Sequence, residues 1–137
     1  MPLERHLYLG VDLGTQGLKA VVFDAQIKEV IADARAPYRL LESQDPRVAE
    51  QWPSSWGNAL RDVMRDLFAV PGVEGSHCAR IAVSGQQHGF VPLDSKGEVI
   101  RPAKLCCDTA SGAEAEELIS GGGGTFPSGT RLRKSCG

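Results

Sequence analysis

The chain has 137 residues, 42% of them hydrophobic and 23% charged, with a formal net charge of −2; this is the balance of one soluble globular domain large enough to bury a core. That charge gives no electrostatic case for nucleic acid or an anionic membrane surface as the partner. No apolar run reaches the roughly 18 residues that span a bilayer, and no secretory signal is read before "LYLGV", so a cytoplasmic location is expected.

The segment "LYLGVDLG" (residues 7–14) alternates Leu7, Leu9 and Val11 with Tyr8, Gly10 and Asp12, the period of two that marks a strand. After Gly14-Thr15-Gln16-Gly17 the text returns to strand residues in "LKAVVFD", which predicts a hairpin. A second turn over Ala25 to Lys28 leads into "EVIADARAPY", a third strand expected to stop before Pro37. Arg39 to Val48 reads as a polar loop. Trp52, Trp56, Leu60, Val63 and Leu67 then recur at steps of four, four, three and four, the stripe of an amphipathic helix, with Pro53 suited to its first turn. Both tryptophans are expected in the core.

"ARIAVSG" (residues 79–85) is a short apolar run closed by glycine and reads as a buried strand. "QQHGFVPLD" and "EVIRPAKLCCD" follow as further strands about a turn at Ser95-Lys96-Gly97. Three strands, a helix and more strands make an α/β fold with a mixed sheet, opened by a three-stranded antiparallel section. "ASGAEAEEL" starts a second helix, with Ser111 and Glu114 spaced as a capping box. Residues 1–120 are therefore expected to form the domain, and the Gly-rich stretch 121–137 a disordered tail. The four cysteines, Cys78, Cys106, Cys107 and Cys136, show no metal-ligand spacing. Cys106 and Cys107 are expected to follow a strand as two small apolar side chains.

Three places carry polar chemistry. At "GVDLGTQGLKA" the glycines permit close backbone approach, N–H groups and the Thr15 hydroxyl can face an anion, and Lys19 adds a positive charge. Asp12 repels phosphate directly but suits a hydrated Mg²⁺ that bridges to it. The same residues also fit a plain glycine-rich hairpin in which Asp12 bonds its own turn. They match neither GxGxxG nor GxxxxGK[ST]. In "SGQQHGF", Gln86, Gln87 and His88 stand just past a strand, and amide and imidazole groups both donate to and accept from hydroxyls, as a sugar or polyol requires. A polar turn explains them too. His88 has the chemistry of a general base, but no serine or cysteine with an acidic third member is marked out for a hydrolase. Asp108, before Thr109, reads either as a turn or helix cap or as a site residue.

In order, "YLGVDLGTQGLKAVVFD", "EQWPSSW", "IAVSGQQHGFVPLDSKGEVIRPAKL" and "CDTAS" resemble the amino-terminal part of the FGGY carbohydrate kinases, most closely the xylulokinase branch. The resemblance implies an actin-like, ribonuclease-H-type fold and ATP-dependent phosphorylation of D-xylulose to D-xylulose 5-phosphate. It places Asp12, Thr15, Gln16, Gly17 and Lys19 at the nucleotide phosphates, with Asp12 near Mg²⁺. Gln87 and His88 fall at the sugar, and Asp108 shapes that pocket. Gluconate, ribulose and glycerol kinases share the scaffold, and a non-catalytic actin-like nucleotide-binding module is the alternative of another class. Family members are longer and place their general-base aspartate beyond this chain, so no residue here takes the catalytic role. Cys106 stands where a tryptophan is usual, and "QIKE" replaces a glycine-containing turn. The expectation is a truncated or frameshifted N-terminal fragment, inactive alone. The sequence leaves oligomeric state open.

Overall fold

Alternation in the first strand sets the layering of the molecule. In the computed structural model, which describes residues 6–121, β1 (Leu7–Leu13) buries Leu7, Leu9 and Val11 and exposes Tyr8 and Asp12. Strand β2 (Gly17–Asp24) pairs with it antiparallel, and β3 (Glu29–Pro37) pairs with β2 in the same sense. The third strand thus runs through Pro37 rather than stopping before it. Between β2 and β3, Lys28 adopts φ 61°, the left-handed conformation that glycine takes without steric cost.

Strand β4 (Glu50–Gln51) precedes α1 (Pro53–Phe68), which packs on β2 and β3. Pro53 occupies the first turn, where its missing N–H loses no helical bond. The face that α1 buries is Ala59, Val63 and Leu67, with Trp56 and Met64 partly covered. This corrects the expected stripe at its first and its middle member: Trp52 is 42% and Leu60 40% exposed. Trp52 precedes the helix as its N-cap and so cannot follow the helical face, while Ala59 supplies the close contact with the sheet. Each large side chain buried here contributes about 1.5–3 kcal/mol.

Strand β5 (Cys78–Gly85) joins β1 in parallel, so the sheet order is β3-β2-β1-β5, a mixed sheet. The expectation of a buried strand is overturned. Ile81 and Val83 lie in register with the core residues Leu9 and Val11, yet they are 64% and 72% exposed. The covering helix sits over β2 and β3 and leaves this margin bare among the described residues.

The strands expected around Ser95-Lys96-Gly97 shrink to the two-residue β6 (Ala103–Lys104) and isolated bridges Phe90 to Lys104 and Leu93 to Val99. Pro92 and Pro102 interrupt the ladder because neither has an N–H to donate. Strand β6 pairs with β4 in a second, two-stranded sheet. Cys106 and Cys107 are exposed rather than packed; the buried apolar side chain here is Leu105. Helix α2 (Gly112–Gly121) begins directly after Ser111 and is exposed along the length whose side chains are described. Beyond Gly121, the Gly-rich stretch and Cys136 lie outside the described residues.

Candidate functional site

The backbone of the first turn has its acceptors drawn inward. The Leu13 carbonyl accepts from the Gln86 N–H at 2.8 Å, Gln16 from the Tyr38 N–H at 3.2 Å, and Gly17 from the Gly14 N–H at 3.0 Å. The Tyr38 hydroxyl donates to the Gly14 carbonyl at 2.5 Å, and the Gln51 side-chain amide donates to Thr15 at 2.7 Å. Five consecutive carbonyls are therefore satisfied by the protein. The N–H groups of Thr15 and Gln16 donate to nothing among the described residues, so the backbone of the turn offers donors while its carbonyls are engaged, the electrostatic sense of an anion cradle. Gly17 is required by packing: a Cβ there would stand 2.9 Å from the Ala36 oxygen, where β3 runs closest.

All five residues assigned from sequence to the nucleotide line one cavity of about 560 Å³: Asp12, Thr15, Gln16, Gly17 and Lys19. Asp12 and Lys19 are directly opposed on β1 and β2. Three residues that the sequence reading did not single out complete this end of the sheet. Arg35 lines the same cavity, in register with Lys19. Tyr38, 8% exposed, props the turn from behind; burial, and then the negative charge of Asp12, push its phenol above the usual range. Gln51 is fully buried; besides its bond to Thr15, its oxygen accepts from the Trp56 indole at 2.8 Å and lies 3.4 Å from the Gln86 amide nitrogen. Gln51 and Trp56 stand inside "EQWPSSW", where a glutamine placed directly before an apolar helix start is the available signal, since an amide covered there needs partners on both ends.

The segment after β5 is anchored at both ends and free in the middle. Gln86 is tied to Leu13 and Gln51, and Phe90 exchanges backbone bonds with Lys104 at 2.8 and 3.0 Å. Between these anchors, Gln87 and His88 are exposed and bond to nothing among the described residues. His88 holds φ 59°, a left-handed conformation that costs a non-glycine residue roughly 1–3 kcal/mol and concentrates at functional sites. The Gln86 side-chain oxygen is buried without a partner among the described residues.

Gln87, His88 and Asp108 do not line the Asp12 cavity. Asp108 acts as a clamp: one carboxylate oxygen accepts from the Ala49 N–H at 2.9 Å, the other from Lys104 Nζ at 3.0 Å and the Ala110 N–H at 3.2 Å. Burial works to raise its carboxyl, but these donors and the lysine charge outweigh it and hold the group below the ordinary carboxylate range. Through Ala49 it fixes the strand that delivers Gln51. Among the described residues no three acidic, histidine or cysteine side chains cluster as a metal site.

Residues 7–131 match the family model of the FGGY family of carbohydrate kinases, N-terminal domain. A xylulose kinase of Haemophilus influenzae is 37% identical over 122 residues, covering 86% of this chain and 24% of its own length. The crystal structure of a xylulose kinase from Brucella ovis superposes with a TM-score of 0.75 at 37% identity over 85% of this chain and 24% of that one. A gluconate kinase from Lactobacillus acidophilus shares the fold, with a TM-score of 0.72 at 23% identity over 85% of this chain and 23% of that one. The chain spans about a quarter of the length of these relatives, and its mixed sheet is part of their actin-like fold. The chain belongs to the FGGY family of carbohydrate kinases, with the family's N-terminal domain matched over residues 7–131.

Proposed function

We propose that the chain supplies the phosphate-gripping hairpin and the sugar-facing segment of an ATP-dependent kinase for D-xylulose. The observation that carries this reading is the parallel pair β1 and β5, whose carboxyl ends are stitched together by the Gln86 N–H on Leu13 and by Gln51. A turn with two N–H groups unpaired among the described residues thereby stands beside a polar segment whose amide and imidazole are likewise unpaired there, at the strand ends where α/β sheets bind ligands. Similarity to xylulose kinases supports D-xylulose as the sugar within the family.

In this reading the Thr15 and Gln16 N–H groups, the Thr15 hydroxyl and Lys19 hold the phosphates of ATP, while Gln87 and His88 bond the sugar hydroxyls, with Asp108 shaping that pocket through the strand it clamps. The exposed Asp12 carboxylate suits Mg²⁺, which keeps several waters and takes one or two carboxylates together with phosphates. When bound, the ion supplies charge neutralisation at the phosphates. The reaction class is in-line transfer: the sugar 5-hydroxyl oxygen bonds to the γ-phosphorus as the bond to ADP breaks, and the hydroxyl proton passes to a base. No residue of this chain is assigned as that base. Positioning and charge are its contribution, and we expect the isolated chain to be inactive. No helix among the described residues is long and apolar enough to cross a membrane; the proposed setting of the reaction is cytoplasmic.

Calorimetric titration of the chain with ATP plus Mg²⁺, and with D-xylulose, tests the reading. Both are expected to bind, with His88→Ala losing the sugar and keeping the nucleotide. Turnover in a coupled ADP-release assay should fall far below the ~1–100 per second of kinases. Binding of D-gluconate, D-ribulose or glycerol in place of D-xylulose would reassign the substrate. ATP binding with no response to any sugar would favour a non-catalytic nucleotide module.

A further inference from the structure

Across the sheet, Asp12, Lys19 and Arg35 form one row on three adjacent strands, with Lys19 directly opposite Arg35. Like charges held opposite one another on neighbouring strands are destabilising. Among the described residues neither cation makes an ion pair or hydrogen bond that would relieve the repulsion. Both are exposed and both line the cavity that the first turn opens into. An anion lodged there would relieve the repulsion by bonding to both.

The spacing says what kind of anion. The donors of the turn are the Thr15 and Gln16 N–H groups, whereas Lys19 and Arg35 stand two residues back along the hairpin from Gly17 and Pro37. Two residues of strand set their Cα atoms about 7 Å further along, so the donor set, with its long flexible side chains, extends past the length of a single phosphate group. A chain of phosphates covers it. Arginine adds to lysine a planar fork that takes two oxygens of one phosphate at once.

We infer that Arg35 is a second cationic ligand for the polyphosphate, gripping with Lys19 a phosphate adjacent to the one on the turn, and that it makes the hairpin favour polyphosphates over inorganic phosphate. This inference rests on reading the turn as a phosphate site. The test is titration of the 137-residue chain with ATP plus Mg²⁺, inorganic tripolyphosphate and inorganic phosphate, in the parent and in Arg35→Ala, Arg35→Lys and Lys19→Ala. Arg35→Ala is expected to weaken ATP and tripolyphosphate by roughly tenfold to a hundredfold, the range of a charge-assisted hydrogen bond, and to leave inorganic phosphate unchanged. Arg35→Lys should recover part of that loss. The thermal midpoint of Arg35→Ala should not fall, because the exposed side chain holds nothing together. If Arg35→Ala binds ATP like the parent while Lys19→Ala does not, the inference is wrong and the phosphate reading stands. If the parent binds none of the three, both fall together.

Discussion

The sheet has a closed half and an open half built from the same alternation. Leu9 and Val11 on β1 are 2% and 7% exposed, while their neighbours in register on β5, Ile81 and Val83, are 64% and 72% exposed. The side chains are of one kind and point to one face. What differs is the lid: α1 crosses β2 and β3, and its Val63 and Leu67 reach the middle of the sheet but not its β5 margin. Apolar alternation therefore records which face a strand offers, whereas burial depends on an element elsewhere in the chain. The functional residues sit across that divide, with the phosphate turn on the closed side and Gln87 and His88 on the open one.

Truncating one residue in each half gives the largest expected effect. Leu67 is fully buried, so Leu67→Ala should cost about 2–5 kcal/mol through lost burial and the cavity left behind. Ile81→Ala should stay within about 0.5 kcal/mol, as surface changes do. Urea midpoints of the two variants measure the contrast. Equal losses would mean that β5 is covered in solution.

Next in size is the clamp that ties the segment after β6 to Lys104 and to the chain entering β4, within the small second sheet. Asp108→Asn keeps the shape and removes the charge that Lys104 and two backbone N–H groups address. A loss of about 1.5–3 kcal/mol at pH 7 is expected for a hydrogen bond to a charged group. The folded carboxyl lies below its ordinary value of 3.8, so the parent's advantage is fully present above that value and disappears as pH falls through the depressed one. Stability curves of parent and variant should converge in acid. Curves that run parallel down to pH 2 would show that the charge on Asp108 does not stabilise the fold.

The closed half was the more legible one from sequence. Leu7, Leu9 and Val11 alternate without interruption, and glycine, proline and acidic residues punctuate β1 to β3, so local chemistry and final structure agree. The same local rule misplaced Ile81 and Val83, because it carries no knowledge of where α1 lands. Asp12, Thr15, Gln16, Gly17 and Lys19 were readable as a group because they fall within one short segment of the chain. Arg35 was not, because its place beside Lys19 depends on the register of β2 with β3, which shifts at Val22 to Phe23. Tyr38 and Gln51 act on backbone carbonyls of a distant turn, and no side-chain motif announces such a bond.

Tyr38 offers the finest probe of the closed half, since it touches the phosphate turn and nothing on the open side among the described contacts. Tyr38→Phe removes only the hydroxyl and leaves the Gly14 carbonyl without that donor, a change worth about 1 kcal/mol. The phenol in the folded chain titrates above its ordinary value of 10.0, first because burial disfavours the phenolate and then because Asp12 is nearby. Above pH 10 the unfolded chain releases this proton while the folded one retains it, so parent stability falls as pH rises through the window between the two values. The phenylalanine variant has no such proton to lose, and its curve should be flatter there. Asp12→Asn should bring the end of the decline to lower pH and so shrink it without abolishing it, because burial, the larger cause, remains. An alkaline decline that persists unchanged in Tyr38→Phe would assign it to another group and loosen the link between the phenol and the turn.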